Sequence, residues 1–459
     1  MPVTLVPAPL PEARPVHCVG KGGLETAGLD PAALTWARAN GFEGAAGEFL
    51  VLPGADGGLA GALFGIGDGM KTGYGALGHG ALAGKLPEGA WTFAAPPEDA
   101  ALACLGLMLG GYAFTRYGKK EGRALTFAVP GGVDPQAVTR QAEAHRLTRD
   151  LVNTPAGDMG PSALEAAARD LAARHGASIT VIAGDSLLDN NFPMIHAVGR
   201  AAADAPRLID MQWGEDGAPK VTLVGKGVCF DTGGLDIKPP SSMLNMKKDM
   251  GGAANVLGLA DMLMGAGARI RLRVLIPAVE NSIAGNAFRP GDILKSRQGL
   301  TVEIGNTDAE GRLVLGDALA EADSEAPDLI IDMATLTGAA RTALGPDLPP
   351  FYTDDDGLAE EIATSAEAMS DPLWRMPLWK PYDAWLESKI ADVNHVADGP
   401  FAGSITAALF LRRFVEKAKA HVHFDIYGWA PKAKPGRPVG GEAQGIRALY
   451  HLLQRRYGA

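Results

Sequence analysis

Short apolar runs recur at residues 178–182, 208–212, 221–224, 271–276, 301–304, 329–333 and 421–426, with helix-period stretches at 253–264, 315–322 and 406–417 between several of them. Runs of this length are strand-sized, and strands that alternate with helices imply a largely parallel or mixed sheet covered by helices on both faces. Sheets of that kind place their functional sites in the loops at the carboxyl ends of the strands. No internal repeat or low-complexity tract interrupts the pattern.

The first part of the chain is organised differently. Apolar runs at 49–52, 62–66, 91–94 and 125–129, with a helical stretch near 101–112, suggest a small α/β domain. Its Gly65-Ile66-Gly67-Asp68-Gly69 segment has neither the following helix nor the matched acid of a dinucleotide fingerprint, so a tight turn is expected. Asp134-Pro135 then opens a helix, Asp as N-cap and Pro at the first helical position. Ala137, Val138, Leu147, Leu151 and Val152 give that helix one apolar stripe, and Asn153-Thr154-Pro155 ends it. The division expected is α/β throughout: a small N-terminal α/β domain over 1–133, a linker helix over 134–155, and over 156–459 a larger domain with a mixed central sheet covered by helices. Ser162-x-x-Glu165 looks like a capping box for the first helix of that larger domain, which should end near Gly176.

Bulk properties exclude several functional classes. A net charge of −11 argues against a polyanionic partner, because phosphate neutralisation dominates nucleic-acid affinity. Cys18, Cys104 and Cys229 are too few and too scattered for a disulfide framework or a thiolate zinc site. The first fifteen residues lack the charged and apolar regions of a signal peptide. The uncharged stretch 100–115 is shorter than the roughly 20 residues that span a bilayer and fits a buried core helix. A cytoplasmic protein with no membrane contact is expected.

Unusual residues collect in three segments at the ends of strand-like runs: VGKGVCFDTGGLDIKP (224–239), MLNMKKDMGGAAN (243–255) and GNTDAEGRLVLGDA (305–318). Gly225-Lys226-Gly227 lacks the spacing of a phosphate loop. Asp231, Asp249, Asp308 and Glu310 each lie close to a glycine, where backbone and ligand can approach. Asp308 and Glu310 are two residues apart, so in extended chain they would share a face. If the four converge, mutual repulsion demands cations, and two divalent ions would cancel four negative charges. Each acid taken alone is more readily a solvated loop residue or a helix cap, since Asp is mostly exposed or capping. Spacing by itself does not show that they meet.

The combined text resembles the leucyl aminopeptidase (cytosol aminopeptidase) family of two-metal peptidases. Asn306-Thr-Asp-Ala-Glu-Gly-Arg312-Leu matches the family signature throughout, and the spacing from Lys226 through Asp231, Lys238 and Asp249 to Asp308 agrees with the family pattern. Val279-Glu-Asn281, Arg289-Pro-Gly-Asp292 and Asp332-Met-Ala-Thr-Leu-Thr-Gly338 extend the similarity over most of residues 145–450, whereas the N-terminal part resembles the family only loosely.

The resemblance implies that Asp231 and Glu310 bridge two divalent ions, Zn²⁺ or Mn²⁺. Lys226 and Asp249 would complete the tighter site and Asp308 the looser one. Lys226 would have to be neutral, and the alternative for it is a salt bridge to a nearby acid. A metal-bridging water would be the nucleophile. Lys238 would stabilise the oxyanion, and Arg312 would hold a bicarbonate that shuttles protons. Met246, Thr335 and Gly338 match positions shaping a pocket for a leucine-like first side chain of short peptides. For Met246, core packing is an equal alternative. The resemblance also implies a homohexamer with sites facing an internal cavity. None of the nine histidines falls in the three segments, and His421 and His423, alternating along a strand, are expected to be structural.

The chain departs from the family pattern where Thr232 and Asp236 stand in place of Ser, and in His421-Val-His423-Phe-Asp425-Ile-Tyr427-Gly428. Asp236 would raise the pKa of Lys238 or alter charge preference, and Tyr427 would tighten local packing. A dimetal phosphoesterase is disfavoured because Arg312 is solitary. A DNA-binding regulatory role, found in some relatives, is disfavoured by the net acidity.

Overall fold

The computed structural model describes residues 2–69, 75–118 and 123–458. The chain divides into two compact units, Met1–Arg146 with Pro431–Val439, and Leu147–Ala430 with Gly440–Ala459.

The first unit is built on a six-stranded sheet of β1 (Val3–Pro7), β2 (Arg14–Gly20), β3 (Phe49–Pro53), β4 (Leu59–Gly67), β5 (Gly89–Phe93) and β6 (Leu125–Val129), in the order β1-β6-β5-β2-β4-β3. All neighbours run parallel except β3 and β4. Val16, Leu63, Phe64, Trp91 and Phe127 are buried on it. The uncharged stretch forms the helix Ala100–Gly110, capped by Asp99 accepting from Leu102 N at 2.9 Å and buried from Leu102 to Leu109. β1, β2 and the helix Pro31–Ala39 were not expected, because Pro, Arg and His break the apolar run of Arg14–Gly20 and the helix buries only Ala37. Gly65–Gly67 finishes β4, and Gly69 N closes a turn on Ile66 O at 3.1 Å, as the glycine pattern suggested.

The second unit carries β7 (Ser178–Ala183), β8 (Arg207–Trp213), β9 (Lys220–Gly225), β10 (Gly227–Asp231), β11 (Arg271–Asn281), β12 (Ile293–Lys295), β13 (Thr301–Glu303), β14 (Leu329–Ala334), β15 (Pro350–Tyr352), β16 (Trp374–Arg375), β17 (Val393–Asn394) and β18 (His421–Asp425). Its main sheet runs β16-β15-β18-β14-β9-β11-β8-β7, with β10 added on β11. The centre, β18-β14-β9-β11, is parallel, β15-β18, β11-β8 and β8-β7 pair antiparallel, and the edge pair β16-β15 is parallel again, so the sheet is mixed. The run at 301–304 does not join it. β13 sits instead in a small sheet, β12-β13-β17.

Alternation along β9 divides the core. Val224 belongs to one apolar cluster with Leu313, Val314, Ile330 and Phe410 from the side of the helix Glu310–Ser324. Gly225 faces the other way, where an added Cβ would stand 2.7 Å from Cα of Ala253 in the helix Gly251–Gly265. Helices therefore flank both faces, and each fully buried Val, Leu or Ile contributes roughly 1.5–3 kcal/mol relative to exposure. No helix among the described residues is long and apolar enough to cross a membrane.

The capping box did not form. The helix Pro161–His175 starts from Gly160 with no side-chain cap. Ser162 turns to Asp204, donating from N and Oγ at 2.7 Å each, and Glu165 accepts from Arg169 at 2.8 Å and Arg207 at 2.6 Å. Charged partners distant in sequence outcompete the local cap.

Candidate metal centre

Five short pieces of chain meet at the carboxyl ends of the central strands. Lys226 follows β9, fixed by Lys226 N donating to Met333 O at 3.0 Å and by Ala253 N donating to Lys226 O at 2.8 Å. Asp231 ends β10, Asp249 lies in the 3₁₀ turn Met246–Met250, Asp308 in the 3₁₀ turn Thr307–Ala309, and Glu310 begins the next helix. Lys238 comes from the loop after β10, its N donating to Thr232 O at 2.9 Å. Gly252 permits this crowding, since a Cβ there would stand 2.0 Å from Met333 O.

The four acids converge, and not through extended chain. Asn306 accepts from Asp308 N at 2.8 Å, which caps a tight turn, and Glu310 is already helical at φ −65, ψ −33. Carboxylate oxygens of Asp231, Asp308 and Glu310 lie within 4.8 Å of one another. Lys226 Nζ sits 2.6 Å from Asp249 Oδ2 and 3.0 Å from Glu310 Oε1. Lys238 Nζ lies 2.7 Å from Asp231 Oδ2 and contacts Asp308 Oδ1. Asp231, Asp249 and Glu310 are buried, while the Asp308 side chain is 32% exposed.

The electrostatics are those of a site with surplus negative charge. Burial pulls Lys226 down, but Asp249, Glu310 and Asp231 outweigh it and hold the ammonium above its ordinary value. Lys238 is likewise raised, burial being overcome by Asp231 and Asp308. Asp236 is not among the main groups that raise Lys238. Its carboxylate accepts from Thr307 N at 2.7 Å and pins the loop that carries Asp308. Burial and then Asp231 push Glu310 up to about 7, and burial raises Asp231 and Asp308 as well. Asp249, although buried, is held low by Lys226 and Lys248. The ammonium groups thus compensate Asp249 but leave Asp231, Asp308 and Glu310 raised. Among the described residues, Asp249 Oδ2 and Asp308 Oδ1 are approached only by lysine ammonium groups and accept no well-directed hydrogen bond. An all-oxygen set with one amine, short of positive charge, suits divalent cations.

Supporting residues were harder to foresee. Buried Asn281 donates Nδ2 to Asp231 Oδ1 at 2.9 Å and to Thr307 O at 3.0 Å, and it lies 3.4 Å from Glu310 Oε2. Thr335 Oγ1 donates to Asp249 Oδ1 at 2.8 Å. Asp425 accepts from Leu336 N at 3.1 Å and Thr337 N at 3.0 Å, holding the loop after β14. All three fall in segments that match the family, Thr335 being expected there as a pocket residue, but the sequence assigned none of them these contacts.

A cavity of about 400 Å³ opens beside the cluster. Met246, Thr335 and Gly338 line it together with Lys226, Asp231, Lys238, Asp249 and Asp308. Neither Glu310 nor Arg312 is among the lining residues. Arg312 is buried and donates Nη1 to His395 O at 2.7 Å, its Nε unpaired. Burial pulls its guanidinium down to about 10. His421 and His423 are buried against Asp332, at 2.7 and 2.6 Å, and neither lines the cavity, which fits the structural role expected of them.

Comparison with known proteins agrees with this geometry. Residues 146–450 match the model of the cytosol aminopeptidase family, catalytic domain. Residues 21–130 match the M17 aminopeptidase N-terminal domain, a closer likeness in that part than the sequence suggested. A probable cytosol aminopeptidase of Roseiflexus castenholzii is 40% identical over 78% of this chain and 77% of that protein. The crystal structure of the cytosol aminopeptidase from Coxiella burnetii superposes with a TM-score of 0.93 at 44% identity, covering 99% of both chains. The bottromycin maturation enzyme BotP in complex with Mn gives 0.87 at 32% identity over 97% of this chain and 100% of that one.

Proposed function

Because this chain belongs to the cytosol aminopeptidase family, a family of metal-dependent hydrolases, we propose that it releases the N-terminal residue of short peptides at the centre formed by Lys226, Asp231, Asp249, Asp308 and Glu310. The observation that carries the reading is the cluster of Asp231, Asp308 and Glu310 beside a cavity, with Asp249 joined to it through Lys226. Asp231 and Glu310 would bridge two divalent ions, Zn²⁺ or Mn²⁺. Lys226 and Asp249 would complete one site and Asp308 the other. Such ions, when bound, polarise the scissile carbonyl and acidify a water.

The remaining steps belong to the chain. Lys238 is held at the mouth of the cluster by Asp231 and Asp308, with a cationic Nζ facing the cavity, which suits it to stabilise an oxyanion. Arg312 would hold a bicarbonate as proton carrier, consistent with its unpaired buried Nε. Met246 and Leu336, with Thr335 and Gly338, offer a partly apolar wall that fits a leucine-like first side chain. We also propose a catalytic domain over 156–459, a cytoplasmic location and a homohexamer, whose inward-facing sites would restrict substrates to short peptides. Sedimentation of the purified chain checks the assembly.

The test is hydrolysis of leucine amides by metal-stripped protein, with Mn²⁺ or Zn²⁺ restored. Loss on chelation and recovery on reloading is expected. Full activity in Asp308→Ala would overturn the reading.

A further inference from the structure

The cavity carries more positive charge than the aminopeptidase reading uses. Lys226 and Lys238 are engaged by the four carboxylates. Two further cations, Lys248 and Arg341, line the same cavity. Lys248 is 6% exposed, and its nearest acid oxygen, Asp249 Oδ1 at 3.8 Å, already accepts from Thr335 at 2.8 Å. Among the described residues, no hydrogen bond is donated by Lys248 Nζ, and the Arg341 guanidinium makes neither an ion pair nor a hydrogen bond. Both stand over the ring of Tyr427, Lys248 Nζ at 5.3 Å and Arg341 Cζ at 4.8 Å from its centroid. Two cations that repel each other thus stand against one aromatic ring, and the buried one has as counter-charge only the Asp249 oxygen at 3.8 Å that Thr335 already occupies.

Their position decides what could supply that charge. Lys248 stands two residues after Met246, and Arg341 Nη2 lies 4.0 Å from where a Cβ on Gly338 would be. They therefore flank the residues assigned to the first side chain of the substrate. Resting on the aminopeptidase reading, we propose that Lys248 and Arg341 form a carboxylate-binding wall in this pocket, so that the enzyme cleaves N-terminal Glu and Asp as well as leucine-like residues. Among the described residues Arg341 has no ion pair and Lys248 only the long one to Asp249, and an acidic side chain supplies the missing charge to both. The guanidinium offers a carboxylate two parallel donors, while Met246 and Leu336 meet the methylenes. Tyr427 is the platform under both cations rather than a packing residue alone.

The test compares kcat/KM of the full-length chain with added Mn²⁺ on Glu-Ala-amide, Gln-Ala-amide and Leu-Ala-amide. The amides remove the peptide's own C-terminal carboxylate as an alternative occupant. Glu should exceed Gln by about tenfold, the worth of one charge-assisted hydrogen bond. The ratio should fall towards one in Arg341→Gln, an exposed position that leaves folding unburdened, and in Lys248→Met. It should also shrink as salt is raised. Glu cleaved no faster than Gln while Leu is turned over, or a ratio unmoved by both substitutions, overturns the inference and leaves the aminopeptidase reading standing. No turnover of any of the three amides overturns that reading and this inference with it.

Discussion

Gly311 stands where a Cβ would lie 2.4 Å from Cε and 2.7 Å from Nζ of Lys226. The missing side chain in the first turn of the helix Glu310–Ser324 is the space that the lysine occupies. Gly311→Ala should therefore displace Nζ from Asp249 and Glu310 without touching either acid. A misplacement of about 1 Å in a catalytic constellation costs on the order of 10²-fold. The expected outcome is a folded protein, by far-UV circular dichroism, with kcat/KM on leucinamide lowered by that order. Unchanged activity would mean that the Lys226 position is not critical.

Asn281 is the hinge of the acid cluster, touching Asp231, Glu310 and the backbone of Thr307. Groups that orient metal ligands typically contribute about 10–100-fold to metal affinity or activity. Asn281→Ala should weaken Mn²⁺ binding by that range in a chelator-competition titration.

Lys238→Ala removes a cation that lines the cavity beside the acids and is proposed to stabilise the oxyanion. Loss of an oxyanion donor costs about 10²–10³ in kcat. The expected signature is a fall in kcat with KM little changed. A rise in KM alone would instead assign Lys238 to substrate binding.

The buried set Asp332, His421 and His423 gives a pH prediction away from the metal centre. Burial pulls His423 down, but Asp332 outweighs it and holds the imidazole above 6.5, and the histidines hold Asp332 below 3.8 against its own burial. The raised histidine stabilises the fold fully below pH 6.5, and that contribution is lost as pH rises through its folded value. The depressed aspartate stabilises above 3.8 and loses its effect as pH falls through its folded value. Asp332→Asn breaks a buried pair, a change typically costing about 3–5 kcal/mol. The gap in Tm between the parent and Asp332→Asn should be widest between those limits and narrow on either side. A gap independent of pH would contradict the assignment.

Much of this was legible in residue order. Central strands such as β9 and β14 announce themselves because a parallel strand buried on both faces is mostly apolar, here broken within the run only by Thr222 and Asp332. The acids were legible as a family signature. Charge arithmetic alone left each of them free to be a cap or a solvated loop. What stayed hidden depends on pairings distant in sequence: Ser162 abandoning its helix for Asp204, Asp236 bonding to Thr307, and Asn281 tying Asp231 to the Thr307–Glu310 segment. Lys248 and Arg341 are separated by 92 intervening residues, and only the fold brings both over Tyr427. The 301–304 run failed because β-propensity says nothing about which sheet a strand will join.

The central claim is that the four carboxylates and Lys226 hold two divalent ions that make the chain an aminopeptidase. It is tested most directly by titrating metal-stripped protein with Mn²⁺ while following leucinamide hydrolysis, in parallel with Asp308→Ala. The account predicts no activity in the stripped protein, a rise that ends at two equivalents per chain, and loss of the weaker binding step together with activity in Asp308→Ala. Hydrolysis that persists without metal, or a variant as active as the parent, would contradict it.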